Sequence, residues 1–105
     1  MPLFGPPDVK KLERKKNVPA LVEKLNDAPD WEVRKSAAEA LGRIGDKSAI
    51  DSISGALEGA LDDERPEVCE AAKTAARTFM MRLTHEGGLT DDEQSRLSEL
   101  YLSMC

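Results

Sequence analysis

The stretch DWEVRKSAAEALGRIGDKSAI, residues 30–50, decides the fold of this chain. Apolar residues recur in it at intervals of three and four, which is the spacing of one face of an α-helix. The members of this stripe are Val33, Ala37, Ala40, Leu41 and Ile44. Asp30 is a favoured N-cap and Gly45 a favoured left-handed C-cap. The segment therefore predicts a helix from Trp31 to about Ile44.

Turn and capping residues divide the flanking sequence into further helices. Upstream, Asp8 is a favoured N-cap for a helix over about residues 9–16. Asn17 then begins a second helix, with Pro19 tolerated in its first turn. Downstream, the apolar spacing predicts a fourth helix over about residues 49–61.

The C-terminal part of the chain predicts two more helices. Pro66 is a favourable first helical residue, and the helix that it begins can run as far as His85. Gly87 and Gly88 interrupt the chain, and Thr90 with Glu93 forms a capping-box pattern for the last helix. Aromatic residues make up only 4% of the chain, which argues against sheets. We therefore predict an all-α protein of about six helices.

An internal repeat organises these helices. Ile53 and Leu57 align with Leu21 and Leu25 at an offset of 32 residues. At an offset of 35 residues, four positions of the fifth helix align with four of the third: Val68, Ala72, Ala75 and Phe79 with Val33, Ala37, Ala40 and Ile44. A period of this size marks a helical solenoid. The expected architecture is therefore a short α-α superhelix.

The first repeat also resembles a known family. Residues 30–50 are similar to the HEAT-like repeats named after phycobilisome lyases, whose pattern is roughly D-x-x-V-R-x-x-A-A-x-A-L-G-x-I-G-D-x-x-A-I. The matching residues are Asp30, Val33, Arg34, Ala37, Ala38, Ala40, Leu41, Gly42, Ile44, Gly45, Asp46, Ala49 and Ile50. The resemblance implies stacked helix hairpins that bind a partner. It covers about residues 17–80 well and the flanking helices loosely.

The second repeat departs from that pattern, because Cys69 replaces the arginine and no GxIGD sequence closes its helix. In repeat one, we expect Arg34 to pair with Asp30 or with an equivalent carboxylate. Because repeat two lacks this arginine, we expect no series of Asp–Arg pairs to extend through it.

A single domain, residues 1–105, is expected. Its parts are an N-terminal capping helix (8–16), repeat one (17–46), a degenerate repeat two (47–86) and a C-terminal capping helix (89–105).

Composition restricts the functional classes. Residues 1–46 carry nine Lys and Arg against eight Asp and Glu, and residues 47–105 carry six against twelve. An acidic C-terminal half disfavours binding of a phosphate backbone there. The N-terminus is unlike a signal peptide, and no run of apolar residues is long enough to span a membrane. Cys69 and Cys105 show no disulfide framework, so we expect reduced thiols and a cytoplasmic protein.

Few residues of the chain are candidates for a catalytic or metal-binding role. His85–Glu86 is the one pair that resembles a catalytic motif, since HEAT-like deoxyhypusine hydroxylases carry several such pairs around two irons. A single pair cannot assemble that centre, and the chain has one histidine. The acidic triplets at 62–64 and 91–93 are explained by helix capping. We predict no catalytic residue, no metal site and no cofactor.

The expected function is protein–protein interaction. In stacked helix hairpins the second helix of each hairpin lines one surface, and Trp31 is a further candidate because tryptophan is enriched at binding hot spots. The predicted partner-binding residues are Trp31, Glu32, Lys35, Glu39, Arg43, Glu70, Lys73, Thr74 and Arg77. The alternatives are an accessory subunit of a bilin lyase-like or other enzyme complex, and a nucleic-acid accessory protein. The latter would use Lys10, Lys11, Arg14, Lys15 and Lys16 of the basic N-terminal helix.

The number of repeats also bears on partners. About three repeats are usually needed to bury a solenoid core, and this chain has two. Either the short end helices cover the exposed faces, or one chain covers another as a homodimer. A protein partner is expected, nucleic acid is disfavoured by the charge, and no membrane partner is expected.

Overall fold

The computed structural model describes residues 7–85 and 88–103. Six α-helices follow one another: α1 Pro7–Arg14, α2 Val18–Asp27, α3 Trp31–Ile44, α4 Ile50–Ala60, α5 Pro66–His85 and α6 Asp91–Leu102. A 3₁₀ turn, Lys47–Ala49, precedes α4. Within these two ranges the chain forms no strand. The predicted all-α class and the six helices are confirmed.

The predicted caps form at most helix ends. The Asn17 side chain accepts a hydrogen bond from the Ala20 amide, and the Asp30 side chain accepts one from the Glu32 amide. Gly45 adopts φ +62° at the end of α3. Asp8 differs from the prediction, since α1 begins at Pro7 and places Asp8 inside the first turn. Proline presets the φ angle of a first helical residue, which moves the start of the helix upstream.

The capping box of α6 also forms as predicted. The Glu93 amide donates to Thr90 Oγ1 at 3.2 Å, and the Thr90 amide donates to Glu93 Oε1 at 3.0 Å. Two backbone amides that have no acceptor within the helix are thus hydrogen-bonded at the start of α6.

The helices stack in two layers. One layer contains α1, α3 and α5, and the other contains α2, α4 and α6, so that each helix touches its neighbours in both layers. The buried core between them is continuous and runs from Val9 of α1 to Leu100 of α6. α1 packs against the first repeat and α6 against the second.

The tightest packing joins α3 to α5, and small residues make it possible. A Cβ placed on Gly42 would lie 2.7 Å from both the Cα and the carbonyl oxygen of Ala75. Such distances are well below van der Waals contact, so the two backbones touch where Gly42 lies. Ala38 of α3 and Ala71 and Ala75 of α5 are also buried.

The degenerate second repeat changes the length of its second helix. α3 ends after 14 residues at the left-handed Gly45, whereas α5 continues for 20 residues. Met80 stands where the 35-residue offset would place a closing glycine, so nothing stops α5 there. The added turns carry Leu83 into the core and allow α5 to support α6.

Candidate functional site

The outer face of α5 is an exposed stripe. Glu70, Thr74, Arg77 and Met81 follow one another at helical spacing, and all four are exposed. Met81 is 57% exposed, which is unusual for a large apolar side chain in this protein. Lys73 lies half-buried at the edge of the stripe. No ion pair within the described part of the chain neutralises any of these charged groups.

The neighbouring surface of α3 is more recessed than the sequence predicts. Glu32, Lys35 and Glu39 are half-buried, because α3 lies between α1 and α5 in its layer. Arg43, near the end of the helix, is exposed. We refer to the surface made by these residues and the α5 stripe as the α3–α5 face. It carries both signs of charge.

Arg43 has an intrachain partner that the sequence did not indicate. Its Nε donates to Glu13 Oε2 at 2.9 Å and its Nη2 to Glu13 Oε1 at 2.7 Å. These hydrogen bonds from Arg43 lower the pKa of the Glu13 carboxyl. A planar guanidinium and a carboxylate match in this paired geometry. The pair joins α1 to α3, so Arg43 has a structural role that the sequence did not predict.

Trp31 occupies the start of α3 and is half-buried against the core. The guanidinium carbon of Arg65 lies 4.5 Å from the centroid of its ring, which is a cation–π arrangement. Arg65 therefore covers one face of the indole, and part of the ring stays accessible.

Removing Arg65 should expose that indole face. We expect Arg65→Ala to make Trp31 fluorescence more sensitive to acrylamide, by about 1.5- to 2-fold in the quenching constant, because the covering guanidinium is lost. The exposed Arg77→Ala is the matched control and should leave quenching unchanged. Equal quenching in wild type and Arg65→Ala would contradict the arrangement.

A second arginine, Arg34, binds the turn between α4 and α5. Arg34 Nε donates to Asp63 Oδ2 at 2.8 Å and Nη2 donates to Oδ1 at 3.2 Å. Each side chain is only 12% exposed. Arg34 Nη1 also donates to the Ala28 carbonyl at 2.9 Å. The carboxylate partner of Arg34, which the sequence did not identify, is therefore Asp63 in the turn between α4 and α5.

The pKa of Asp63 reflects opposing causes. Burial raises it, while hydrogen bonds from the Arg34 side chain and the Arg65 amide lower it, and the net effect is a lowered pKa. The pKa of Arg34 is raised, chiefly by its hydrogen bonds to Asp63. The pair is therefore ionised at neutral pH and links repeat one to repeat two.

Within the described residues, the candidate catalytic and metal-binding side chains do not form a site. In the ranges 7–85 and 88–103 no three His, Cys, Asp or Glu side chains are placed to hold a metal ion. His85 ends α5, and Glu86 lies outside the described residues. None of the described helices is long and apolar enough to cross a membrane.

Cys69 differs from its prediction. Its side chain is 2% exposed and its sulfur forms a disulfide bond, so the expectation of a reduced thiol is wrong at this position. Disulfide pairing depends on distances in the folded protein, which spacing along the chain does not give. Cys105 lies outside the described residues.

The comparisons with known proteins agree with the two-layer stack. Residues 8–77 match the family described as HEAT repeats. No curated protein and no solved structure matches the chain. The narrower resemblance to the phycobilisome lyase repeats is not confirmed by this match. Because the matched segment covers more than half of the chain and the helices stack as HEAT hairpins do, the chain belongs to the HEAT repeat family.

Proposed function

We propose that this protein is a non-catalytic interaction module that binds a protein partner on the α3–α5 face. HEAT repeats generally mediate protein–protein interactions, and the family is typically non-catalytic. The observation that carries the proposal is the α5 stripe, where Glu70, Thr74, Arg77 and Met81 are all exposed. An exposed methionine among charges of both signs offers an apolar contact inside a polar rim, which is the usual layout of an interface.

The proposed interface keeps the residues predicted from the sequence and adds one. They are Trp31, Glu32, Lys35, Glu39, Arg43, Glu70, Lys73, Thr74, Arg77 and, from the structure, Met81. The α5 members are the more exposed ones, so we expect the centre of the footprint there. Arg43 is the least suitable member to mutate, because its bonds to Glu13 join α1 to α3.

A charge exchange on the α5 stripe tests the proposal. The double variant Glu70→Lys/Arg77→Glu keeps the net charge but reverses the pattern that a partner would meet. We expect it to reduce retention of specific partners in a pull-down from the source cells by at least about tenfold, since misplaced like charges at an interface cost several kcal/mol.

The matched control exchanges two exposed charges near α2 that form no ion pair within the described residues, Lys15→Glu/Asp27→Lys. It should retain the partners that wild type retains. Thermal melts of both variants verify that each is folded. Partners that bind the Glu70→Lys/Arg77→Glu variant as well as wild type would show that the α3–α5 face is not the binding surface.

Three other expectations stay predictions. A nucleic-acid role would rest on the exposed cations of the N-terminal helix, without the aromatic side chains that stack on bases. An accessory role beside a bilin lyase-like enzyme has no support in the described residues. The cytoplasmic location is likewise a prediction, and the disulfide at Cys69 counts against it because disulfides are rare in the cytosol.

A further inference from the structure

The α3–α5 face differs in charge between the two ends of its helices. The C-terminal ends of α1, α3 and α5 lie together, because Glu13 binds Arg43 and Arg82 Nη1 donates to the Arg43 carbonyl at 2.7 Å. The N-terminal ends of α3 and α5 lie together at the other edge, where Arg65 covers the Trp31 ring. α3 and α5 therefore run parallel, and each end of the face has its own set of charges.

Cations predominate at the C-terminal end of this face and on the adjoining side of α1. The five cations in these helices are all exposed: Lys10, Arg14, Arg43, Arg77 and Arg82. The two carboxylates among them are half-buried: Glu13 and Glu39. Asp8 and Lys11, whose charges cancel, line the groove on the other side of α1. We refer to the five cations and two carboxylates as the basic end.

The N-terminal end of the face has the opposite balance. Its charged residues in α3 and α5, apart from Arg34, which pairs with Asp63, are three glutamates and two lysines: Glu32, Glu67, Glu70, Lys35 and Lys73. An acidic partner is therefore attracted to one end of the α3–α5 face and repelled by the glutamates of the other.

The cations of the basic end act together on one carboxylate. Hydrogen bonds from Arg43 lower the pKa of the Glu13 carboxyl, burial raises it, and the charges of Arg43, Lys10 and Arg82 lower it further. The net effect is a lowered pKa. Because several cations share this carboxylate, positive charge stays in excess around it.

Two arginines of the basic end keep a charge that no carboxylate neutralises. Arg82 donates to a backbone carbonyl, which carries no net charge, and no ion pair within residues 7–85 and 88–103 includes Arg82 or Arg77. The end of α5 does not explain Arg77, because the helix dipole acts within the last turn and α5 continues to His85. Both charges are therefore available to a partner.

An exposed apolar side chain lies beside these two arginines. Met81 is one helical turn beyond Arg77, on the same side of α5, and Arg82 follows it directly. Met81 is 57% exposed. A partner that neutralises the two arginines therefore also meets an apolar surface.

A protein segment with carboxylates matches this arrangement better than a nucleic acid does. It can place carboxylates opposite Arg77 and Arg82, in the paired geometry that guanidinium groups favour, and an apolar side chain opposite Met81. A nucleic-acid backbone carries a charge at every nucleotide, so it would also approach Glu39 and Glu70. None of the residues of the basic end is aromatic, so none stacks on bases.

We propose that the basic end of the α3–α5 face binds an acidic segment of the partner protein, with an apolar side chain of that segment seated on Met81. This inference rests on the proposed function, because it names the chemistry of the partner for the same surface. Carboxylates of the segment bind Arg77 and Arg82. The glutamates at the N-terminal end of the face orient the segment, since they repel its acidic part.

A labelled acidic peptide of about ten residues, in which Glu and Asp surround a central leucine, tests the proposal by fluorescence anisotropy. Wild type should bind it with a Kd of about 50 µM or tighter in about 50 mM salt. Binding should weaken at least about threefold in about 300 mM salt, because salt screens exposed charges. Arg77→Glu should weaken it at least about fivefold, since a like charge then faces the peptide.

Two further variants separate the contributions of charge and apolar contact. Lys24→Glu makes the same change of charge on α2 and should bind the peptide as wild type does. Met81→Ala should weaken binding of the leucine peptide about threefold, because an apolar contact is lost. It should not weaken binding of a second peptide in which serine replaces the leucine. Thermal melts verify that each variant is folded.

Several results would overturn this inference. They are the absence of saturable peptide binding, binding that Arg77→Glu leaves unchanged, and an equal effect of Met81→Ala on both peptides. A single-stranded oligonucleotide of the same length that binds more tightly than the peptide, and that Arg77→Glu weakens, would assign the basic end to nucleic acid instead. The pull-down with Glu70→Lys/Arg77→Glu tests the proposed function separately. Partners that require those two residues, without any peptide binding, would contradict the inference alone.

Discussion

Replacing Gly42 with alanine is expected to lower the free energy of unfolding by about 2 kcal/mol. A methyl group there would lie 2.7 Å from the backbone of Ala75, so α3 and α5 must move apart along their whole contact. Overpacking of this kind costs about 1–3 kcal/mol, with larger values where backbone must move, and alanine returns about 1 kcal/mol of helix propensity. Thermal unfolding should show a midpoint about 10 °C lower.

Gly55 provides the matched control. It lies inside α4, and a Cβ added to it meets no atom within 4 Å. Gly55→Ala should therefore raise the free energy of unfolding by about 0.5–1 kcal/mol, because only the propensity gain remains. The same chemical change is thus expected to have opposite signs at the two positions. A stabilised Gly42→Ala variant would contradict the close contact of α3 with α5.

Arg34→Ala is expected to have a larger effect than Gly42→Ala. It should lower the free energy of unfolding by about 3 kcal/mol. The substitution leaves the Asp63 carboxylate and the Ala28 carbonyl without the guanidinium that they bind. Breaking a mostly buried ion pair by removing one partner costs about 3–5 kcal/mol, and we take the lower end because 12% of each side chain is exposed. Urea unfolding at neutral pH measures the loss.

The control for Arg34→Ala is the same substitution at Arg96. That arginine is 40% exposed and pairs with Glu58 at 2.7 Å on the surface. Arg96→Ala should cost well under about 1 kcal/mol, as exposed pairs usually do. Equal losses for the two variants would show that burial of the Arg34–Asp63 pair does not determine its contribution.

The Arg34–Asp63 pair also predicts that the free energy of unfolding depends on pH. Because folding lowers the pKa of Asp63, its ionised form stabilises the native protein above the unfolded pKa of about 3.9. That contribution is lost as the pH falls from about 4 toward the lower folded value. Asp63→Asn should therefore be less stable than wild type by about 1–3 kcal/mol at pH 7, and this difference should shrink at about pH 3. A constant difference across this range would exclude a role for the carboxylate charge.

The helices and their ends were predictable because they depend on neighbours in the chain. Asp30, Gly45 and Thr90 each act within a few residues of their own position, through one capping hydrogen bond or one φ angle. The 35-residue repeat then placed Val68 and Phe79 on the predicted apolar face of α5, and both are fully buried. Local hydrogen bonding and apolar periodicity thus determined the fold class from the sequence alone.

The surface and its pairings were decided only by the tertiary structure. Arg34 meets Asp63 across 29 residues and Arg43 meets Glu13 across 30, and periodicity does not give the rotation and height of one helix against another. The same register leaves Met81 on the α5 stripe and exposes Leu102 at one end of the stack. The sequence determined which residues face the core, because each helix must bury its apolar side. Which outward residues are paired, recessed or free to bind depended on how the helices pack against one another.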